Sequence, residues 1–86
     1  MRLFYVIMRI VIELLDGRRV QGFFFSTLAS ADKTKKISLI FDTMEIYTGF
    51  LKEIDDYGLI HLMNPGAIFG IALPMDKLLY WFYAVN

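Results

Sequence analysis

The chain has 86 residues, a length that predicts a single domain over residues 1–86. Hydrophobic residues make up 57% of it, which is more than so small a domain can bury, so we expect the excess to contact a partner subunit, a membrane or a ligand. Nine basic and nine acidic residues cancel, so the chain has no general positive field of the kind that marks nucleic-acid binding. The absence of cysteine excludes disulfides and cysteine-type zinc sites.

The beginning of the chain does not have the pattern of a membrane or export segment. Its apolar run, residues 3–15, is interrupted by Arg9 and Glu13, whereas a spanning helix needs about 20 apolar residues. No small-residue cleavage site follows the charged start. We predict a cytoplasmic protein without a membrane partner. Residues 1–7 precede a second methionine, Met8, and are either a start-codon extension or a first strand.

Residues 9–25 have the pattern of a β-hairpin. Alternating apolar residues lead to Asp16-Gly17, and a second β-like run follows. Asp-Gly between such runs predicts a two-residue turn with both residues at positive φ. Gly22, in the middle of the returning strand, predicts a bend or bulge.

Residues 26–36 form the one long polar stretch, which predicts a loop, with a helical turn from Ser30 as an option. Lys33, Lys35 and Lys36 form its basic cluster. Such a cluster is either a solvated loop tip or a contact for phosphates.

Further strands are predicted over residues 37–42, 45–54, 57–63 and 67–73, with turns at 55–56 and 64–66. Residues 78–85 are apolar on both faces, which favours a strand, although a helix starting near Pro74 stays open. Five to seven short strands joined by short turns predict an all-β fold that forms a small closed or nearly closed barrel.

The predicted tail strand has no charged residue to protect an edge. An uncovered edge of this kind invites pairing with another chain, so we predict a homo-oligomer, in the form of a closed ring, with the tail strand at or beside the interface. The interface candidates are Leu78, Tyr80, Trp81, Phe82 and Tyr83. A base-stacking platform on Trp81 or Tyr83 is the alternative use of these aromatic residues.

The sequence contains no nucleotide-binding loop, nucleophile elbow or metal-ligand spacing. Asp55 and Asp56 are adjacent, so on a strand they would point to opposite faces and would not form a carboxylate pair. His61 lies between two apolar strand residues, where a packing role is more common than catalysis. We therefore predict a protein that is not an enzyme, with no cofactor, no metal and no small-molecule substrate.

Three stretches together resemble the Sm/LSm family, which includes Hfq. Residues 11–24, with Asp16-Gly17, resemble the first half of the first family motif, and residues 47–62 resemble its second half including the tip. Both matches contain the mid-strand glycine, and residues 71–81 resemble the second motif. The resemblance implies a small barrel of about five strongly bent antiparallel strands that assembles into rings and binds RNA. Either the barrel begins near Ile37 with residues 8–30 as an added hairpin, or it begins near Met8 with an apolar C-terminal extension. We favour the first, because it includes the tail motif.

The resemblance also implies an RNA pocket with an atypical composition. Tyr57 matches the position that stacks on a base, whereas Leu59 and Pro74 stand where the family has Asn and Arg. The residues implied as RNA contacts lie at the turn and in the basic segments: Tyr57, Asp55, Lys52, Lys77, Lys33, Lys35 and Lys36.

Two functions follow. The first is an Sm-like, ribonucleoprotein-type ring that contacts single-stranded RNA through Tyr57 and nearby lysines. The alternative is a structural, protein-binding oligomer that binds no nucleic acid. The zero net charge opposes the first and the apolar tail favours the second.

Overall fold

The structure is a computed structural model that describes residues 9–66 and 70–84. Within them, the elements in chain order are β1 (Arg9–Glu13), β2 (Arg19–Phe24), the 3-10 helix η1 (Phe25–Ser30), β3 (Ile37–Phe41), β4 (Ile46–Ile54), β5 (Leu59–Met63), β6 (Ile71–Pro74), the 3-10 helix η2 (Met75–Lys77) and β7 (Leu78–Tyr83). The all-β prediction is confirmed, with seven strands in place of the five that the resemblance implies. The alternatives for residues 1–7, and residues 67–69 of a predicted strand, lie outside the described residues.

All neighbouring strands are antiparallel, in the order β1-β2-β7-β3-β4-β5-β6. The tail is a strand, as predicted, and only the three-residue η2 follows Pro74 before it. Its predicted place at an edge is wrong, because β2 pairs with one side of β7 and β3 with the other. In the described residues the sheet ends at β1 and β6, so closure into a barrel stays a prediction.

One face of the sheet, here called the inner face, carries the hydrophobic core. Alternation along the strands places Leu39 of β3 and Trp81 of β7 on it, and register puts them opposite each other. A register shift between Leu51 and Glu53 bends β4. The bend lets β5 and β6 add Ile60, Leu62 and Leu73 to the same core cluster.

Trp81 is the centre of this core, with 2% of its surface exposed. Its ring stacks on Phe23 at a centroid distance of 4.5 Å and meets Tyr83 edge-on at 5.2 Å. The indole Nε1–H donates a 3.0 Å hydrogen bond to Thr27 Oγ1, and that hydroxyl donates to the Phe24 carbonyl. These bonds attach η1, which covers the core with Leu28, to β2 and β7.

The opposite, outer face is also apolar. Along β3 every residue is buried, so Ser38 and Ile40 are covered although they point away from the core. Register aligns Ser38 with Phe82 of β7, and Ile40 with Tyr80. Gly22 lies in the row of Ser38 and Phe82, and a Cβ there would clash with Ile12 Cδ1. The glycine therefore leaves the space in which the Ile12 side chain packs over β2.

Three of the hairpins, β1–β2, β3–β4 and β4–β5, are closed by the same three-residue loop. In the first, Leu14 N–H donates to the Arg18 carbonyl and Gly17 N–H donates to the Leu14 carbonyl. The β3–β4 and β4–β5 loops repeat this pair of bonds at residues 41–45 and 55–59. This geometry is a type I turn whose last residue has positive φ. Gly17 and Gly58 fill that position, at φ values of 87° and 81°.

The prediction of positive φ at Gly17 is confirmed, whereas the prediction of a two-residue turn is wrong. Among the described non-glycine residues only Met44 has positive φ, so Asp16 does not. Its carboxylate instead accepts a hydrogen bond from Arg18 N–H at 3.0 Å. This bond is typical of an aspartate that begins a turn with ordinary backbone angles.

Replacement of Gly17 by Val should lower the free energy of unfolding by about 1–2 kcal/mol, because a β-branched residue is strained at positive φ. A Cβ at this position has nothing within 4 Å, so the loss comes from the backbone alone. Gly17→Asn is the control, since Asn tolerates this conformation. Equal midpoints of denaturant unfolding for the Val variant and the parent would contradict this account of the loop.

Candidate functional site

Two surfaces stand out, and the first is the tip turn, residues 55–58, between β4 and β5. Asp55 holds this turn together. Its Oδ1 accepts the backbone N–H groups of Tyr57 at 2.9 Å and Leu59 at 3.0 Å. Its Oδ2 lies 2.7 Å from Nε2 of His61. Asp55, predicted as an RNA contact, therefore uses both oxygens inside the turn, and His61 has an acidic partner that its strand pattern does not reveal.

These hydrogen bonds change the acidity of Asp55. The bond with His61, followed by those from the Leu59 and Tyr57 amides, holds the pKa of Asp55 below its ordinary value of 3.8. The carboxylate is therefore stabilised in its charged form, and the turn has a fixed geometry. Tyr57 projects from it with 91% of its surface exposed.

The tip turn is also attached to η2. Met75 N–H donates to the Gly58 carbonyl at 2.8 Å, and the Lys77 carbonyl accepts from Asp42 N–H at 2.9 Å. Lys77 thus lies on the element that touches the turn of Tyr57, as the resemblance implies. Acidic residues outnumber Lys52 and Lys77 in this region: Asp42, Glu53, Asp55, Asp56 and Asp76.

The remaining basic candidates lie elsewhere. Lys33, Lys35 and Lys36 belong to the loop before β3, beside the end of β7. Lys35 Nζ lies 5.5 Å from the centroid of the Tyr83 ring. Lys77 precedes the beginning of β7, so the six residues of that strand separate the two groups by roughly 20 Å. The fold does not gather the predicted phosphate contacts into one patch.

The second surface is a groove on the outer face of the sheet. The β1–β2 hairpin forms one wall, with Leu15 at its loop. Met44 of the loop between β3 and β4 and Ile46, the first residue of β4, form the other wall, and Tyr80 of β7 lies between the two walls. We call this cavity, of about 400 Å³, the apolar groove; its lining is Ile10, Val11, Ile12, Glu13, Leu14, Leu15, Phe24, Ile40, Met44, Ile46, Leu79 and Tyr80.

Glu13 is the only charged residue in that lining. Leu14, Leu15 and Ile46 also border a neighbouring cavity of about 490 Å³, where Asp16, Arg18 and Lys36 add charge. The apolar groove thus continues into a more polar surface. Four large hydrophobic residues around it are exposed to solvent: Val11, Leu15, Met44 and Ile46.

Met44 occupies the loop position that glycine fills in the other two hairpins. Its φ is 69°, in the left-handed region that costs a side-chain-bearing residue roughly 1–2 kcal/mol. Its side chain is 73% exposed, so packing among the described residues does not explain why a strained residue stands there. Strained residues cluster at functional sites.

The predicted interface residues of the tail divide between the two faces. Trp81 and Leu78 are buried in the core, and Phe82 is buried on the outer face. Tyr83 is half-buried and its hydroxyl accepts the Asp32 N–H. Tyr80 alone among them lies in the groove. The sequence analysis did not predict a site at the exposed apolar residues of the groove, which are Met44, Ile46, Val11 and Leu15. A signal for Met44 was present in the hairpin loop Asp42-Thr43-Met44-Glu45, in which Met stands at the position where a Gly is expected.

No family model, curated protein or solved structure matches this chain. In the part of the chain that the structure describes, no three acidic or histidine side chains are placed to hold a metal ion. The helices found over the same residues are too short to cross a membrane.

Asp55→Asn should remove a pH-dependent part of the stability. Because the folded pKa is lowered, the charged carboxylate stabilises the fold above pH 3.8, and this contribution is lost as the pH falls through the lowered value. The parent should therefore unfold at a higher denaturant concentration than the variant near neutral pH, and the two midpoints should converge in acid. The exposed neighbour provides the control, Asp56→Asn. A parent–variant difference that stays constant from pH 6 to pH 2.5 would contradict the role of the charge.

Proposed function

We propose that this protein is a structural, protein-binding module that works by assembly, with the apolar groove as its contact surface. The observation that supports this most directly is Met44, a strained and exposed apolar residue on the wall of a groove. A glycine would close the same loop without strain. The side chain is therefore explained by a contact outside the chain, and an apolar groove offers that contact to another polypeptide.

The distribution of apolar residues supports the same proposal. The inner face of the sheet already has a core with a buried Trp81. The outer face adds Ile10, Ile40 and Tyr80, with no further layer of the described chain above them. Leaving these residues beside exposed Val11, Leu15 and Ile46 is unfavourable in water, and a protein partner would remove that area from solvent.

The proposal takes from the resemblance to Sm-like proteins only the architecture of the domain. The strands β3 to β7 are contiguous in the sheet as β7-β3-β4-β5-β6. This supports a five-stranded unit that begins at Ile37 and carries β1–β2 as an added hairpin. The long β4 with its register shift supports strong bending. Because β2 occupies one side of β7, the assembly surface in this proposal is the groove and not the tail edge.

Met44→Gly should raise the free energy of unfolding by about 1 kcal/mol and at the same time weaken assembly, because it relieves strain and removes the contact. Met44→Ala should weaken assembly without raising the free energy of unfolding, since it keeps a Cβ at positive φ. Tyr57→Ala is the matched control, an exposed side chain outside the groove. Chemical unfolding and sedimentation across micromolar concentrations measure the two effects. A parent that sediments as a monomer of 10.0 kDa would refute the proposal.

RNA binding at the tip turn is a second candidate function. The observation in its favour is Tyr57, almost fully exposed on a rigid turn that is hydrogen-bonded to the element carrying Lys77. An aromatic ring in such a place can stack on a base. The surrounding carboxylates repel phosphates, which makes this the weaker candidate.

If RNA binds there, Tyr57→Ala should weaken the binding of a single-stranded oligonucleotide by about 1–3 kcal/mol. Tyr57→Phe keeps the stacking surface and should bind as the parent does. Fluorescence anisotropy at several salt concentrations separates stacking from phosphate contacts, which cause a steep salt dependence. Equal affinities of the parent and the Ala variant would exclude the tip turn as the site.

A further inference from the structure

The end strand β1 has a sequence that is complementary to itself. It consists of Arg9-Ile10-Val11-Ile12-Glu13, with a basic residue at one end, an acidic residue at the other and β-branched residues between them. Two copies aligned antiparallel about Val11 place Arg9 opposite Glu13 at both ends. The same alignment places Ile10 opposite Ile12, a pairing that β-branched residues favour in sheets.

The hydrogen bonds of the hairpin show which backbone groups of β1 point away from β2. Leu14 N–H donates to the Arg18 carbonyl, so these two residues form a hydrogen-bonded pair. Bonded and non-bonded pairs alternate along an antiparallel ladder. In the register of β1 and β2, the residues that bond to β2 are therefore Ile12 and Ile10. The N–H and C=O groups of residues 9, 11 and 13 face away from β2, toward an edge with which no described strand pairs.

We propose that β1 pairs antiparallel with β1 of a second copy of this chain, about a twofold axis at Val11. This inference rests on the proposed function and names its partner. In this register Val11 exchanges both of its hydrogen bonds with Val11 of the second copy, and residue 9 exchanges its bonds with residue 13. All outward groups of β1 are then used. A shift of two residues in either direction separates the opposite charges.

The same pairing extends one wall of the apolar groove. Residues directly opposite each other in a sheet share a face, so Ile10 and Ile12 of the second copy continue the row of Ile10 and Ile12 in the first. That row is part of one wall of the groove. Val11, 73% exposed in the single chain, lies against its own copy. One contact thus satisfies a free sheet edge and extends the apolar wall.

The other end of the sheet does not offer an equivalent partner. The strand β6, Ile-Ala-Leu-Pro, has four residues and ends at Pro74, which lacks an N–H group and weakens an edge for pairing. It contains no charge to complement Arg9 or Glu13. A contact between β1 and β6 of different copies would generate a ring, whereas β1 with β1 generates a closed twofold dimer.

Disulfide trapping distinguishes these arrangements, because the chain has no cysteine of its own. In the proposed register the two Cα atoms of residue 11 lie about 5.5 Å apart, within the range that a disulfide spans. Val11→Cys should therefore form a covalent dimer of twice 10.0 kDa under mild oxidation, and Ile71→Cys on β6 should stay uncrosslinked. Mixing the two variants should give only the Val11→Cys homodimer. Mixed Val11–Ile71 products would support the ring and overturn the proposal.

A second variant tests the hydrogen bonds. Val11→Pro removes an N–H that faces the free edge and leaves the bonds to β2 intact, so circular dichroism should be unchanged. The dissociation constant of the dimer should rise by about tenfold or more. Arg9→Glu should also weaken the dimer, and adding Glu13→Arg should restore it. If assembly depends on Met44 but resists Val11→Pro and gives no Val11 crosslink, the twofold pairing is wrong and the proposed function stands. A monomeric parent overturns both.

Discussion

The structure depends on the position of β7 between the two halves of the chain. The β1–β2 hairpin joins the sheet only through β2 and β7, and the β3–β6 unit joins it only through β3 and β7. Both contacts require the last segment of the chain, far in sequence from β2, so the chain-entropy cost of closing that loop must be met before the sheet is complete. The interactions of Trp81 with Phe23 and Thr27 are the contacts that offset this cost on the inner face.

An interior strand that is apolar on both faces explains the unusual composition. On β7, Trp81 and Tyr83 point to the core, while Tyr80 and Phe82 point to the outer face. The neighbouring strand β3 follows the same rule, with Leu39 inside and Ile40 outside. A domain of this size has enough chain for one core, and among its described elements the β1–β2 hairpin is the one that borders the second face. The groove is what remains uncovered.

The positions of the strands along the chain could be predicted from the sequence, whereas their order in the sheet could not. Alternation and turn residues located the strands, and Gly17 correctly indicated positive φ. Strand order was out of reach, because the apolar tail has the same pattern whether β2 covers it or a second chain does. The role of Asp55 was missed because the side chains of two adjacent aspartates on a strand would point to opposite faces. In the structure, the Asp55 carboxylate instead accepts hydrogen bonds from the amides of Tyr57 and Leu59. The groove could not be predicted, because it depends on how the β1–β2 hairpin and the β3–β4 loop are placed relative to each other in the folded chain. No local sequence pattern encodes that placement.

The added hairpin also changes which assemblies the fold can form. Without β1–β2, one side of β7 would be an open, uncharged edge beside the aromatic tail, suited to pairing with a different edge of the next copy and so to ring growth. With the hairpin in place, β2 takes that side and the open edge moves to β1, whose ends carry Arg9 and Glu13. A charged edge of opposite signs discriminates between partners, because only an antiparallel copy in one register brings unlike charges together at both ends. In the proposed dimer, the hairpin thus replaces an edge of little specificity by one whose charges favour a second copy of the same chain.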